Sequence, residues 1–225
     1  MKKILWILSA TLLGITTNAQ KAGIDFSNNY FISTLNYDKT SIPGWGFGAG
    51  VAVPFFAGKK LSIRPELNYQ LRIYNSKSSS HAEDNYSITE SEYQSTDKYH
   101  FLELPLIFLV KPQKHFGFLF GIQFGKAVKS GYSYENTFTT TNKSNGQVST
   151  SKNSNSGEFD DLNLSELSLN AGISFHLGNG FAFEVRGQRS LVLFVDGETD
   201  TEISWGTVQL GIRYELRKKI KENSK

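Results

Sequence analysis

From Phe116 to Phe124 a large apolar side chain returns at every second position (Phe116, Phe118, Phe120, Ile122, Phe124), while Gly117, Leu119, Gly121 and Gln123 fill the alternate ones. A period of two is a strand with two unlike faces. The phenylalanine face is too apolar for water, yet the face behind it offers little but glycine and glutamine. That is the reverse of a water-soluble sandwich, whose apolar residues meet between sheets, and it predicts that Phe116, Phe118, Phe120, Ile122 and Phe124 face lipid.

The same alternation recurs along the chain. Short or medium strands are expected at 22–27, 45–55, 61–73, 101–110, 116–124, 164–176, 181–188 and 207–216, eight in all. The connections alternate long and short: 28–44, 57–60, 75–98, 111–115, 130–161, 177–180 and 191–206. Long loops on one side and tight turns on the other are the pattern of an outer-membrane barrel. The segments 75–98 and 130–161, rich in Ser, Thr and Asn, are expected to be extracellular loops. Leu177-Gly178-Asn179-Gly180 reads as a hairpin turn with the glycine that such a turn needs.

A sheet that crosses hydrocarbon must pair every backbone N–H and C=O internally, so its first strand has to meet its last. The fold expected is therefore all-β, an eight-stranded antiparallel transmembrane β-barrel with up-and-down meander topology. Eight strands leave a lumen just wide enough for side chains to fill. The inward set offers Asp25, Glu66, Glu103, Glu166, Glu184 and Glu215 beside Arg64, Arg72, Arg186 and Arg213, which predicts a lumen ion-pair network instead of an open pore. Gly117, Gly121 and Gly125 are expected to make room for these long side chains. The competing architecture is a soluble barrel of lipocalin type, with the phenylalanines lining a cavity and the charges outside.

At the N-terminus, Lys2 and Lys3, an apolar run from Ile4 to Ile15 and Thr17-Asn18-Ala19 read as a secretory signal peptide over 1–19. The barrel domain then spans 20–216 and a basic tail 217–225, and the location expected is the outer membrane of a Gram-negative bacterium. The chain has no cysteine, which excludes disulfides and thiol chemistry. A net charge of +3 gives no reason to expect nucleic acid.

The run Tyr99-His-Phe-Leu-Glu-Leu-Pro-Leu-Ile-Phe-Leu resembles the Tyr-Leu-Glu-Ile-Pro-Leu core of the PorT-like outer-membrane β-barrel family. Lys21-Ala-Gly-Ile-Asp-Phe-Ser and Arg64-Pro-Glu-Leu-Asn-Tyr are similar to other signatures of that family. The resemblance covers essentially the whole mature chain and implies the barrel, with an association to protein export for some members.

Candidates for chemistry are sparse. His100 lies near Ser95, Asp97 and Tyr99, the residue types of a nucleophile and base at a barrel rim. Asp196, Glu198, Asp200 and Glu202 put four carboxylates at alternate positions, a weak metal candidate without the glycine and terminal glutamate of a calcium-binding hand. His115 and His176 read as residues of the turn-side interface. Lysines gather at the turn end (Lys59, Lys60, Lys111, Lys114 and the tail), acids at the loop end, and the tail suits anionic lipid or a periplasmic partner.

These readings lead to a non-enzymatic barrel with no catalytic residue and no cofactor, acting as a surface or envelope scaffold or as a component linked to protein export. Its expected partners are outer-membrane lipid, lipopolysaccharide and a protein of the envelope or a secretion system. The alternatives are a small-solute channel and a lipid-modifying enzyme. N-terminal sequencing of protein extracted from outer membranes should start at Gln20; a retained Met1 would show an uncleaved anchor instead.

Overall fold

The computed structural model describes residues 24–37, 40–55, 60–159, 164–177, 179–195 and 203–216. The signal segment, the carboxylates at 196–202 and the basic tail lie outside the described residues. Nine strands follow in order: β1 (Ile24–Tyr37), β2 (Thr40–Ala52), β3 (Leu61–Glu83), β4 (Ser87–Gln113), β5 (Phe116–Asn142), β6 (Val148–Glu158), β7 (Leu164–His176), β8 (Phe181–Val195) and β9 (Ile203–Leu216). All neighbours pair antiparallel. The ladder from Ile24↔Leu216 to Tyr37↔Ile203 joins β1 to β9 and closes the sheet. The ring runs β1-β2-β3-β4-β5-β7-β8-β9, eight staves in meander order, and β6 lies outside it, paired with β5 alone. Closure leaves the ring no open edge for lipid to meet.

Side chains alternate cleanly around the ring. Phe118, Phe120, Ile122 and Phe124 are each 45–50% exposed on the outside, with Phe116 partly covered by Phe118 and Phe175 at 4.9 and 5.3 Å between ring centres. Behind them Gly117, Leu119, Gln123 and Gly125 are buried. The apolar belt continues through Phe26, Ile32, Phe47, Leu104, Leu169, Phe183 and Leu210.

The strands run further than their apolar stretches. β1 continues to Tyr37 and β2 begins at Thr40, where a polar connection over 28–44 is expected from sequence. The larger difference is at the two expected loops. β3, β4 and β5 extend to 23, 27 and 27 residues, well past the 9–11 that a tilted strand needs to cross a bilayer. Beyond the barrel rim, 75–83, 87–98, 130–142 and 148–158 form a four-stranded antiparallel blade in register from Asn75↔Thr96 to Glu83↔Ile88, from Thr96↔Ser133 to Ser87↔Asn142 and from Gly131↔Glu158 to Thr141↔Val148. At ~3.3 Å per residue it projects about 30 Å from the mouth.

Both tips are built by Asx turns. Asp84 Oδ1 accepts the N–H of Tyr86 at 2.7 Å and of Ser87 at 2.6 Å, which holds its carboxyl below the usual range. Asn142 Oδ1 accepts from the Ser144 N–H and Asn145 Oδ1 from the Gln147 N–H, with Gly146 at φ 70° between them. Lys143 ties the tips together, pairing with Glu83 at 2.8 Å and donating to the Asp84 carbonyl. The loop end is thus not simply acidic: Lys77, Lys98, Lys129, Lys143 and Lys152 also lie there.

One bulge governs how barrel and blade join. β4 pairs His100 with Lys129 and Phe101 with Ala127, so Val128 is an extra residue on β5. Inward positions of β5 are odd from Gly117 to Ala127 and even from Ser130 onward. Deleting Val128 should turn Tyr132 and Tyr134 to the reverse face of the blade. The expected outcome is faster proteinase K cleavage within 130–158, with the heat-modifiable barrel band retained; wild-type resistance would refute this role.

Candidate functional site

The lumen is built in layers from side chains that the alternation sends inward. Toward the turn end of the barrel, Arg64, Glu66, Glu184, Arg186 and Arg213 converge from β3, β8 and β9. Arg64 donates to Glu66 Oε1 at 2.8 Å and to both oxygens of Glu184 at 2.9 and 3.2 Å. Arg186 forks onto Glu66 with two bonds of 2.8 Å and reaches Glu184 at 2.5 Å. Arg213 donates to Glu66 at 2.8 Å and Glu184 at 3.1 Å, and lies 3.7 Å from Asp25. Three guanidinium groups therefore share Glu66, Glu184 and Asp25, and the forked geometry satisfies charges that this depth would otherwise penalise.

Above them a second layer centres on Arg72. It donates to Glu103 at 2.5 Å and, in bidentate fashion, to Glu166 at 2.8 and 3.1 Å. Gln188 donates to Glu166 at 2.9 Å and Gln209 to Gln188 at 3.1 Å, carrying the network across β8 and β9. Its guanidinium carbon also lies 4.3 Å from the centre of the Phe101 ring and 4.7 Å from that of Trp205. The aromatic layer above consists of Leu35, Tyr74, Phe101, Ala127, Leu164 and Trp205, with Ile42 and Tyr99 packed against it. Tyr74, Phe101 and Tyr99 meet the Trp205 ring edge-on at 5.3, 5.2 and 5.6 Å. Ions, amides and rings thus lie in successive layers between the turn end and the mouth.

The structure brings all ten inward charges into this interior, nine of them in the two layers. Glu215 lies apart at the floor, 3.3 Å from His176 Nδ1. His176 is 8% exposed and points into the lumen, so it is not an interface residue; His115 Nδ1 bonds the His176 carbonyl at 2.8 Å. Of the three glycines expected to make room for charge, Gly125 does so: a Cβ there would lie 2.9 Å from Glu166 Cγ. Gly117 and Gly121 instead admit Leu109 and Ile107, which pack with Leu119 as an apolar patch low on β4 and β5. Trp205, Tyr74, Gln188 and Gln209 were not singled out from sequence. Their inward parity on β3, β8 and β9 was the available signal.

The catalytic-looking group at the rim is not assembled. His100 faces outward, bonded through Nδ1 to the Tyr69 hydroxyl, while Ser95, Asp97 and Tyr99 occupy the opposite face of the same strand. His81 sits 3.9 Å from both Glu83 and Glu90 on the exposed blade. Among the described residues no group of three or more metal-ligating side chains forms, and Asp196, Glu198, Asp200 and Glu202 lie outside them.

A closed eight-stave sheet, apolar without and ionic within, defines an outer-membrane β-barrel. The chain belongs to the outer membrane protein beta-barrel domain family, whose model matches residues 13–194, and its place is the outer membrane of a Gram-negative envelope. The fold is similar to Ail, the attachment invasion locus protein of Yersinia pestis (12% identity, 88% of this chain and 100% of that one, TM-score 0.40). It is also similar to Neisserial surface protein A (11%, 86% and 97%, 0.47) and to the outer membrane enzyme PagL (8%, 84% and 99%, 0.35). A comparison with curated proteins finds no match.

Removing one member of a buried ion pair strands its partners at a cost of about 3–5 kcal/mol. Arg72→Met should therefore lower the urea midpoint of the folded, fast-migrating band by that equivalent. Adding Glu166→Gln and Glu103→Gln should recover part of the loss, because the stranded carboxylates are gone. Equal midpoints for wild type and Arg72→Met would refute the clamp.

Proposed function

We propose that this protein is a non-enzymatic, PorT-like barrel with a blocked lumen that anchors a rigid extracellular blade, and so acts as a surface scaffold of the envelope. The observation that carries this reading is the succession of paired side chains across the interior, from His176 and Glu215 at the floor through the two arginine layers to Trp205 at the mouth. A channel needs a water-filled path, and here the charged side chains that would line one bond each other across the lumen, Arg64 and Arg213 to Glu184, Arg186 to Glu66 and Arg72 to Glu103 and Glu166. The barrel's rigidity then serves what stands on it.

On this reading outer-leaflet lipid and lipopolysaccharide pack against the apolar belt, and lysines at the turn end, Lys60, Lys111 and Lys114, suit an envelope or export-linked protein on the periplasmic side. The N-terminal segment is proposed to be removed during export.

Planar-bilayer recording of the purified full-length protein should show no steady conductance, and a stable single-channel current would overturn the scaffold reading in favour of a small-solute channel. Excising 134–155, so that Ser133 and its ladder partner Ser156 are joined by a short turn, should leave a membrane-inserted, heat-modifiable barrel. A truncated protein that failed to insert would show the blade to be part of the barrel's own stability and not its cargo.

A further inference from the structure

The outer wall of the barrel is free of acid but not of base. Among the described residues, no outward position of the eight staves between the two rims carries Asp or Glu. Two cations stand on that wall at the loop-side edge of the apolar belt. Lys126 on β5 follows Phe124 on the outward face, laddered to Leu102 and Ser165, and Arg189 on β8 lies between Leu169 of β7 and Gly206 of β9. One stave, β7, separates them. Both side chains are exposed, and among the described residues neither has a carboxylate partner. Lys129, higher on β5 at the foot of the blade, is by contrast matched by Glu158 at 2.5 Å.

Beside them the wall is hollowed. A groove of about 1200 Å³ passes over Ala171, Gly187 and Gly206, with Phe120 and Leu169 toward β5 and Ile32 and Val208 toward β1, and Arg189 stands at its edge. The inward glycines of β2 and β5 are required by packing, since a Cβ at each would come within 2.9 Å of a neighbour. At Gly187 it would meet nothing closer than 3.8 Å, and at Gly206 nothing within 4 Å. The space over these two is therefore left open by the protein's own side chains, on the side that meets lipid.

We propose that Arg189 and Lys126 hold the phosphates of an outer-leaflet lipid of the lipid A class, with one of its acyl chains in the groove over β7, β8 and β9. The inference rests on the packing of outer-leaflet lipid against the belt and names the place where that lipid is held. Long loops lie outside the cell, so the edge on which both cations stand meets the outer leaflet. A cation on a lipid-facing wall is costly at the midplane and tolerated near the interface, where its long stem carries the charge to headgroup level. With no acid on the wall, the counter-ion has to come from the membrane, and phosphate is the anion that lipid supplies. Arginine forks onto phosphate oxygens, and lysine adds a mobile point charge. A zwitterionic phospholipid has one phosphate and an ammonium that competes for it, whereas a bisphosphorylated lipid offers a phosphate to each cation. The same charges decide against a second copy: laid on this face, it would set Arg189 and Lys126 against their own counterparts with no carboxylate on either wall.

The test uses full-length protein in detergent and reads bound lipid by native mass spectrometry, with bisphosphorylated lipid A, its dephosphorylated form and phosphatidylethanolamine as probes. Bisphosphorylated lipid A should bind at least tenfold more tightly than either of the others. Arg189→Gln and Lys126→Gln should each weaken it tenfold or more, Arg189→Lys should keep most of the affinity, and Lys152→Gln on the blade should leave it unchanged. Gly187→Leu, which fills the groove without touching a charge, should weaken it as well. Heat modifiability shows that each variant is folded; should Arg189→Gln fail to fold, Lys126→Gln and Gly187→Leu carry the test. Equal binding of the dephosphorylated lipid, unchanged affinity in the folded Gln variants, or competition by inorganic phosphate at equal concentration would overturn the proposal. So would a dimer that Gly187→Leu dissociates, which would make the occupant a second copy. A protein silent in bilayers that shows no preference for phosphorylated lipid would lose this inference and keep the scaffold reading, whereas a conducting barrel that retains the lipid would lose the scaffold alone.

Discussion

Arg72 is fully buried, held between the Phe101 and Trp205 rings, and gives its guanidinium to two glutamates on different strands. Its bonds to Glu166 and those of Arg186 to Glu66 span 94 and 120 residues of sequence, and the bond of Arg213 to Glu66 spans 147. Such contacts cross the barrel, so they form only when the ring has closed in the right register. A strand slipped by one residue would turn its own charges toward lipid and strand their partners on the other strands. Buried ion pairs gain little over well-packed apolar side chains of the same volume. What they add here is specificity: a misregistered barrel leaves several charges in hydrocarbon, and the correct one leaves none of the clustered arginines without a carboxylate.

The same constraint explains how much could be read without coordinates. Phe116 to Phe124 declares itself because one face meets lipid and the other meets a crowded lumen, and that contrast is written as a period of two. The inward charges follow from the same parity, and eight staves follow from counting such segments and requiring closure. Which arginine meets which glutamate was not legible. Pairing across the lumen is set by strand tilt and stagger, and neither leaves a local mark in composition. The Trp205 layer escaped for a related reason: its members come from β1, β3, β4, β5, β7 and β9, one residue each, and become a cluster only in three dimensions.

The blade was hidden for the opposite reason. Neither of its faces is buried, so no apolar alternation marks it, and Ser, Thr, Asn and Lys at 75–98 and 130–158 read as loop. Its order comes from backbone ladders continuing out of the barrel, from Asx turns at Asp84 and Asn142, and from the Lys143 link between the tips. A strand already held at one end by the ring extends without the nucleation cost that an isolated hairpin bears. Residues with poor strand propensity can be recruited on those terms.

Val128 is where the two regimes meet. Below it β5 alternates phenylalanine with glycine for lipid and lumen; above it the same strand alternates tyrosine and asparagine with serine, threonine and glutamate for water. One inserted residue changes the parity. Without it, Tyr132 and Tyr134 would share a face with Lys129's exterior position, and the aromatic contacts that descend through Phe159 and Tyr99 to Trp205 could not form. The bulge thus makes the blade's tyrosine-bearing face the upward continuation of the lumen wall. The ring contacts from Tyr134 through Tyr132, Phe159 and Tyr99 to Trp205 tie the base of the blade to the layer that covers Arg72.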